Sequence, residues 1–159
     1  EVRGPNVFSG YWRMPDKTDS DFTADGWFVT GDQGFIDQQG YLSIVGRSKD
    51  MVITGALHVY PTEVELVLNS LPGVSESAVF GVPHQDFGEA VVAVVVPLPD
   101  AQLDVDDMRS MLGKRLAAFK VPKKLELRVA LPRNAMGKVQ KNLLREDWAL
   151  KEQRGQSNH

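Results

Sequence analysis

The stretch "EAVVAVVV", Glu89–Val96, holds the longest apolar run in the chain and stops at Pro97. A membrane-spanning helix needs about 20 apolar residues, so a run this short and this rich in β-branched valine predicts a buried strand. Immediately upstream, "SESAVFGV" (Ser75–Val82) predicts a second strand, and the polar "PHQDFG" between them predicts the connection of a strand pair. Working outward, Pro61 to Leu71 reads as a helix. Pro61 suits its first helical position, and Glu63 and Glu65 set negative charge against its positive end. On the other side, Asp104 is a candidate N-cap for a helix whose Val105, Met108, Leu112, Leu116 and Phe119 form one apolar stripe up to Pro122. "MVI" (Met51–Ile53) and "LELRVA" (Leu125–Ala130) predict further strands, and "KNLLREDWALKEQR" (Lys141–Arg154) a last helix. The expectation is an α+β domain from about Asp50 to Leu150, a small mixed sheet flanked by helices, with a polar, disordered tail over 151–159.

Residues 1–48 have another texture. "GWFVTGDQGFIDQQGYLSIVGR" alternates aromatic or β-branched residues with polar ones, and "DQQG" (Asp37–Gly40) suits a hairpin turn. This part predicts β-structure and turns with little apolar mass to stand alone. The opening "EVRGPNVFSGYW" has neither a methionine nor signal-peptide composition, and reads as the middle of something larger.

A formal net charge of −3 gives no global drive toward nucleic acid or anionic membrane. Lys114, Arg115, Lys120, Lys123, Lys124 and Arg128 form one basic stretch, expected to be a solvated face. No cysteine is present, and His58, His84 and His159 are too scattered for a metal pattern, so neither disulfide, metal site nor membrane span is expected.

Near the carboxyl end, "PRNAMGKVQK" (Pro132–Lys141) contains the chain's only Gly-Lys pair. A phosphate loop would need glycine five residues before that pair and a hydroxyl residue after it. Pro132 and Val139 stand there instead, so pattern alone leaves Lys138 as a surface lysine in a turn. Asp32 in "TGD" and Arg47 in "GRSKD" are, singly, a turn former and a surface cation. Together, at the ends of adjacent hairpin strands, a carboxylate and a guanidinium could hold a diol such as a ribose.

In order, "YWRMPDKT", "DGWFVTGD", "GYLSIVGRSKD", "VYPTEVE", "GVPHQDFGE" and "LPRNAMGKVQK" resemble the carboxyl-terminal part of the acyl-adenylate-forming ligases. That superfamily includes acyl-CoA synthetases, peptide-synthetase adenylation domains and firefly luciferase. The likeness runs to Arg145, and within the family it is greatest to malonyl-CoA synthetases, through "VITG", "VYP", "GVPHQDFGE" and "PRNAMGKVQKNLLRE". It implies that 1–48 are the end of a large amino-terminal domain that binds ATP and the acyl group, and that 49–150 are a small mobile domain hinged at Lys49. It further implies a two-step reaction, in which a carboxylate and Mg-ATP give an acyl-adenylate and CoA then gives a thioester. Asp32 and Arg47 would hold the ATP ribose, and Lys138 would be the catalytic lysine of the first step and a target for a lysine acetyltransferase. Gly55 and Ala56 would line the pantetheine tunnel, with Ala56 standing where the family has glycine. Mg2+ would be held mainly by the absent amino-terminal domain, the fragment alone would be inactive, and the location would be cytoplasmic. A non-catalytic binding module on the same fold, or a peptide-synthetase adenylation domain, is the alternative.

Overall fold

The computed structural model describes residues 1–156. Their backbone contacts fall into two units, Glu1–Lys49 and the chain from Asp50 onward.

The first unit is built on aromatic packing and one hairpin. Phe8 meets Tyr11, Phe22 and Phe28 at centroid distances of 5.0–5.6 Å, edge to face, and bridges join Phe28 to both Val2 and Phe22. Strands β1 (Asp32–Ile36) and β2 (Leu42–Arg47) pair antiparallel across the "DQQG" turn, where Asp37 Oδ1 accepts from the Gln39 and Tyr41 amides. One element departs from the β-and-turn expectation. Pro15–Asp21 is a helix, α1, which buries none of its residues. Its polar sequence gives no apolar period to read; Pro15 presets the first turn, and Thr18 Oγ1 accepts from the Tyr11 amide while donating to Met14 O.

In the second unit a mixed five-stranded sheet is centred on β6 (Gly88–Pro97). Strand β5 (Val74–His84) runs antiparallel along one edge of β6. On the other edge β3 (Val52–Thr54) touches β6 antiparallel at Gly88, and β7 (Lys124–Leu127) runs parallel from Val92 to Val95. Strand β4 (Leu57–Val59) completes the sheet outside β3.

The valine run is buried on both faces. Val91, Ala93 and Val95 pack with Val64 and Leu68 of α2 (Pro61–Asn69) and with Met108 and Leu112 of α3 (Val105–Gly113). Ala90, Val92, Val94 and Val96 pack with Phe80 and with Leu144 and Trp148 of α4 (Lys141–Gln156). Each fully buried valine contributes about 1.5–3 kcal/mol over an exposed one, so this strand organises the three layers. Asp104 caps α3 as expected, its Oδ1 accepting from the Asp106 and Asp107 amides at 2.9 Å.

Three boundaries differ from the sequence reading. Helix α3 ends at Gly113, a poor helix interior residue, so Leu116 and Phe119 lie beyond it yet still pack on the same core. The "GALH" segment, for which no element was expected, forms a hairpin turn and β4. Helix α4 continues to Gln156, so most of the expected disordered tail is helical. Lys, Glu, Gln and Arg favour helix, and Lys124–Glu152 and Lys151–Glu126 pairs, both at 2.6 Å, tie the segment to β7. The remainder of that tail, 157–159, lies outside the described residues.

Half of the basic stretch is compensated: Lys120 pairs with Glu63, Lys124 with Glu152 and Arg128 with Glu126 at 2.6–2.7 Å. Among the described residues no helix is long and apolar enough to cross a membrane.

Candidate active site

In the first unit the hairpin brings Asp32 and Arg47 together as opposite partners in the ladder, with Arg47 Nε 2.9 Å from Asp32 Oδ1. A bulge at Val45 shifts the register between this pair and the rest of the hairpin. The Asp32 amide donates to Thr30 Oγ1 at 3.1 Å, and Gly31, at φ 72°, turns the chain so that its carbonyl accepts from the Ser48 amide at 2.9 Å. Asp32 and Arg47 lie on a cleft of about 620 Å³ lined also by Tyr11, Lys17 and Lys49. A carboxylate has about four lone-pair sites; Arg47 takes one oxygen, and Oδ2 is left to accept from a ligand hydroxyl. Lys49 lies in the short 3-10 turn Ser48–Asp50, where the first unit ends. Beside the cleft Lys17 and Tyr11 both donate to Asp21, which holds its carboxyl below the ordinary range.

In the second unit Lys138 stands on a tight hairpin loop. The Asn134 amide donates to Lys138 O at 3.0 Å, the Gly137 amide donates to Asn134 O at 2.9 Å, and Arg133 and Val139 form a bridge below. This is a three-residue hairpin ending in a left-handed residue, and Gly137 supplies it with φ 78°. Space is not the reason for glycine, since a Cβ there would meet nothing within 4 Å. Asn134 Oδ1 accepts from both the Met136 and Lys138 amides, at 3.1 and 2.9 Å, closing the loop from inside. The Lys138 side chain is exposed, and its ammonium has no partner among the described residues. It is a positive charge on a fixed backbone, open to a ligand.

Gly55 and Ala56 form the two-residue turn between β3 and β4, both with positive φ, 56° and 66°. Such a turn matches strand twist but favours Asn-Gly or Gly-Gly, so Ala56 carries strain in the left-handed region. The Gly55 amide donates to Phe87 O at 2.9 Å, fastening the turn to the β5–β6 connection.

Arg133, Asn134 and Glu76 were not singled out in the sequence. Asn134 and Gly137 carry a readable turn signal around Lys138, but nothing local links Arg133 to Glu76, 57 positions away. No group of three or more His, Cys, Asp or Glu suited to a metal ion is found among the described residues.

Residues 63–138 match the AMP-binding enzyme C-terminal domain. Over 92% of this chain, MatB of Rhodopseudomonas palustris, crystallised with ATP, superimposes with a TM-score of 0.84 at 57% identity. The chain belongs to the acyl-adenylate-forming ligases. It corresponds to the carboxyl-terminal part of those ligases, and its α+β fold is theirs. A 3-[(3aS,4S,7aS)-7a-methyl-1,5-dioxo-octahydro-1H-inden-4-yl]propanoyl:CoA ligase from Rhodococcus jostii is 49% identical over 146 residues, 92% of this chain and 28% of that protein. The amide bond synthetase McbA of Marinactinospora thermotolerans matches 92% of the chain with a TM-score of 0.86 at 38% identity. The chain spans 28–29% of the length of these relatives.

Proposed function

We propose that the chain is the carboxyl-terminal part of an ATP-dependent acid–thiol ligase that forms an acyl-adenylate and then an acyl-CoA thioester. On this reading 1–48 close a large amino-terminal domain, 49–150 are the mobile domain, and Lys49 is the hinge between them. The observation that carries it is the unpartnered ammonium of Lys138 on a loop whose backbone is held by Asn134 and Gly137.

The chemistry needs such a group. When a carboxylate oxygen attacks the α-phosphate of ATP, negative charge spreads over the nucleophile and the phosphorus oxygens. A compact ammonium between them stabilises that charge and orients both reactants. The carboxylate is already ionised near neutral pH, so no general base is required. Asp32 Oδ2 and Arg47 fit a ribose, one accepting and the other donating. Mg2+ bound with ATP would offset phosphate charge, and on this reading it is held mainly by the amino-terminal domain. The turn at Gly55 and Ala56 is taken as a wall of the pantetheine path. We place the enzyme in the cytoplasm, and its partners are ATP, CoA, a small carboxylic acid, the amino-terminal domain and an acetyltransferase that would neutralise Lys138.

Malonate or another short acid is the proposed acyl substrate, supported by the likeness of "VITG", "VYP", "GVPHQDFGE" and "PRNAMGKVQKNLLRE" to malonyl-CoA synthetases. The test is pyrophosphate release by the complete protein with ATP and a panel of malonate, acetate, a long-chain fatty acid and an aromatic acid, with and without CoA. Release with malonate, CoA-dependent thioester formation, and background rates for the 159-residue chain alone are expected. Thioester formation with another acid and none with malonate would overturn the acyl assignment; no release with any acid would overturn the ligase reading.

A further inference from the structure

Arg133 joins the Lys138 loop to the central sheet. Arg133 Nη1 donates to Gly137 O at 2.6 Å, and its Nη2 pairs with the Glu76 carboxylate on β5. The planar fork therefore fixes the carbonyl directly before Lys138 against a strand whose register is locked by its long ladder with β6. On the other foot of the loop, Lys141 Nζ lies 2.7 Å from Glu65 Oε1 on α2, and that oxygen also accepts from the Val79 amide of β5 at 2.8 Å. Both feet are thus referred to β5, while the lysine between them keeps its ammonium free.

We propose that Arg133 is a positioning residue for adenylation: through Glu76 it sets the place from which Lys138 reaches the reacting oxygens. This rests on the reading of Lys138 given above. Magnitudes favour positioning over stability. The Arg133 and Glu76 side chains are 43% and 30% exposed, and an ion pair that open adds little to folding. The turn itself would still close through Asn134 and Gly137. Displacing a transition-state contact by about 1 Å, in contrast, can cost on the order of a hundredfold in rate.

The test uses Arg133→Met, Arg133→Lys, Lys138→Ala and the Arg133→Met/Lys138→Ala double variant of the complete ligase. Arg133→Met is expected to lower kcat for pyrophosphate release about ten- to a hundredfold, with KM for ATP and acid nearly unchanged. Arg133→Lys should recover part of the rate, because one ammonium can reach Gly137 O or Glu76 but cannot reproduce the fork. Because Arg133 acts through Lys138, the double variant should be no slower than Lys138→Ala alone. A double variant slowed by the full Arg133 factor again would show an independent action and overturn the proposal. Lys138→Ala at wild-type rate would instead remove the lysine reading, and the proposal with it. A second measurement is independent of catalysis: in the 159-residue chain, Arg133→Met should speed hydrogen exchange at the Lys138 amide while leaving Val92–Val95 protected. Unchanged exchange at Lys138 would also overturn the proposal.

Discussion

Asp32 and Arg47 sit opposite one another at the open end of the β1–β2 hairpin, Arg47 Nε 2.9 Å from Asp32 Oδ1, with the second carboxylate oxygen left over. Hydrogen bonds to charged groups contribute about 1.5–3 kcal/mol, so Asp32→Ala in the complete enzyme should raise KM for ATP about ten- to a hundredfold. The pair is partly exposed, so the thermal midpoint should hardly move. An unchanged KM for ATP would take Asp32 out of the ribose role.

At Ala56 the prediction concerns both stability and one half-reaction. A left-handed alanine costs about 1–2 kcal/mol, and glycine returns about 0.5–1 kcal/mol of that as chain entropy. Ala56→Gly should therefore raise the urea midpoint slightly, and Ala56→Val should lower it by more, since a β-branched residue resists φ 66°. Ala56→Leu should block thioester formation yet spare pyrophosphate release without CoA. If leucine leaves the thioester step intact, or suppresses both steps alike, this turn is not the tunnel wall.

Acid should expose the network between β7 and α4. Burial opposes ionisation of Glu126, but hydrogen bonds from Arg128 and Lys151 outweigh it and hold its carboxyl below the ordinary value. The Arg128 hydrogen bond does the same for Asp147, against the effect of burial and with help from Lys151. Both carboxyls are thus easier to ionise in the folded chain. Their contribution is complete above the unfolded carboxylate range, about pH 4, and is lost as pH falls through the lowered folded values. Arg128→Met should lower the urea midpoint at pH 7, and the gap from wild type should shrink toward pH 3. A gap constant across that range would contradict the linkage.

The sheet was readable because a seven-residue apolar run ending at proline has few other uses, and α3 was announced by its Asp104 cap together with the apolar stripe that follows it. The meeting of Asp32 with Arg47 followed from a hairpin turn at Asp37–Gly40, although the bulge at Val45 that adjusts the register did not. Helix α1 escaped because its seven residues bury nothing and so leave no hydrophobic period. The β3–β4 turn escaped because "TGAL" lacks the usual second glycine or asparagine, and the backbone accepts the strain at Ala56 instead. Arg133 and Glu76 were out of reach for a different reason: only the completed β5–β6 ladder brings positions 57 apart to one place.

Lys49 lies in a 3-10 turn, whose usual φ of about −50 to −70° proline can adopt. Lys49→Pro should therefore hold one conformation and separate the two half-reactions, with some cost at Ser48, which precedes the ring. Pyrophosphate release and thioester formation measured on one preparation would check it. If both rates match wild type, Lys49 is not the hinge.

The central claim is that Lys138 serves adenylation alone, and Lys138→Ala in the complete enzyme tests it most directly. Pyrophosphate release from ATP and malonate should fall about a hundredfold or more, as commonly follows loss of one transition-state charge contact. Thioester formation from supplied acyl-adenylate and CoA should stay close to wild type, since that step needs no ammonium at the α-phosphate. Equal loss in both half-reactions, or none in the first, would contradict the account.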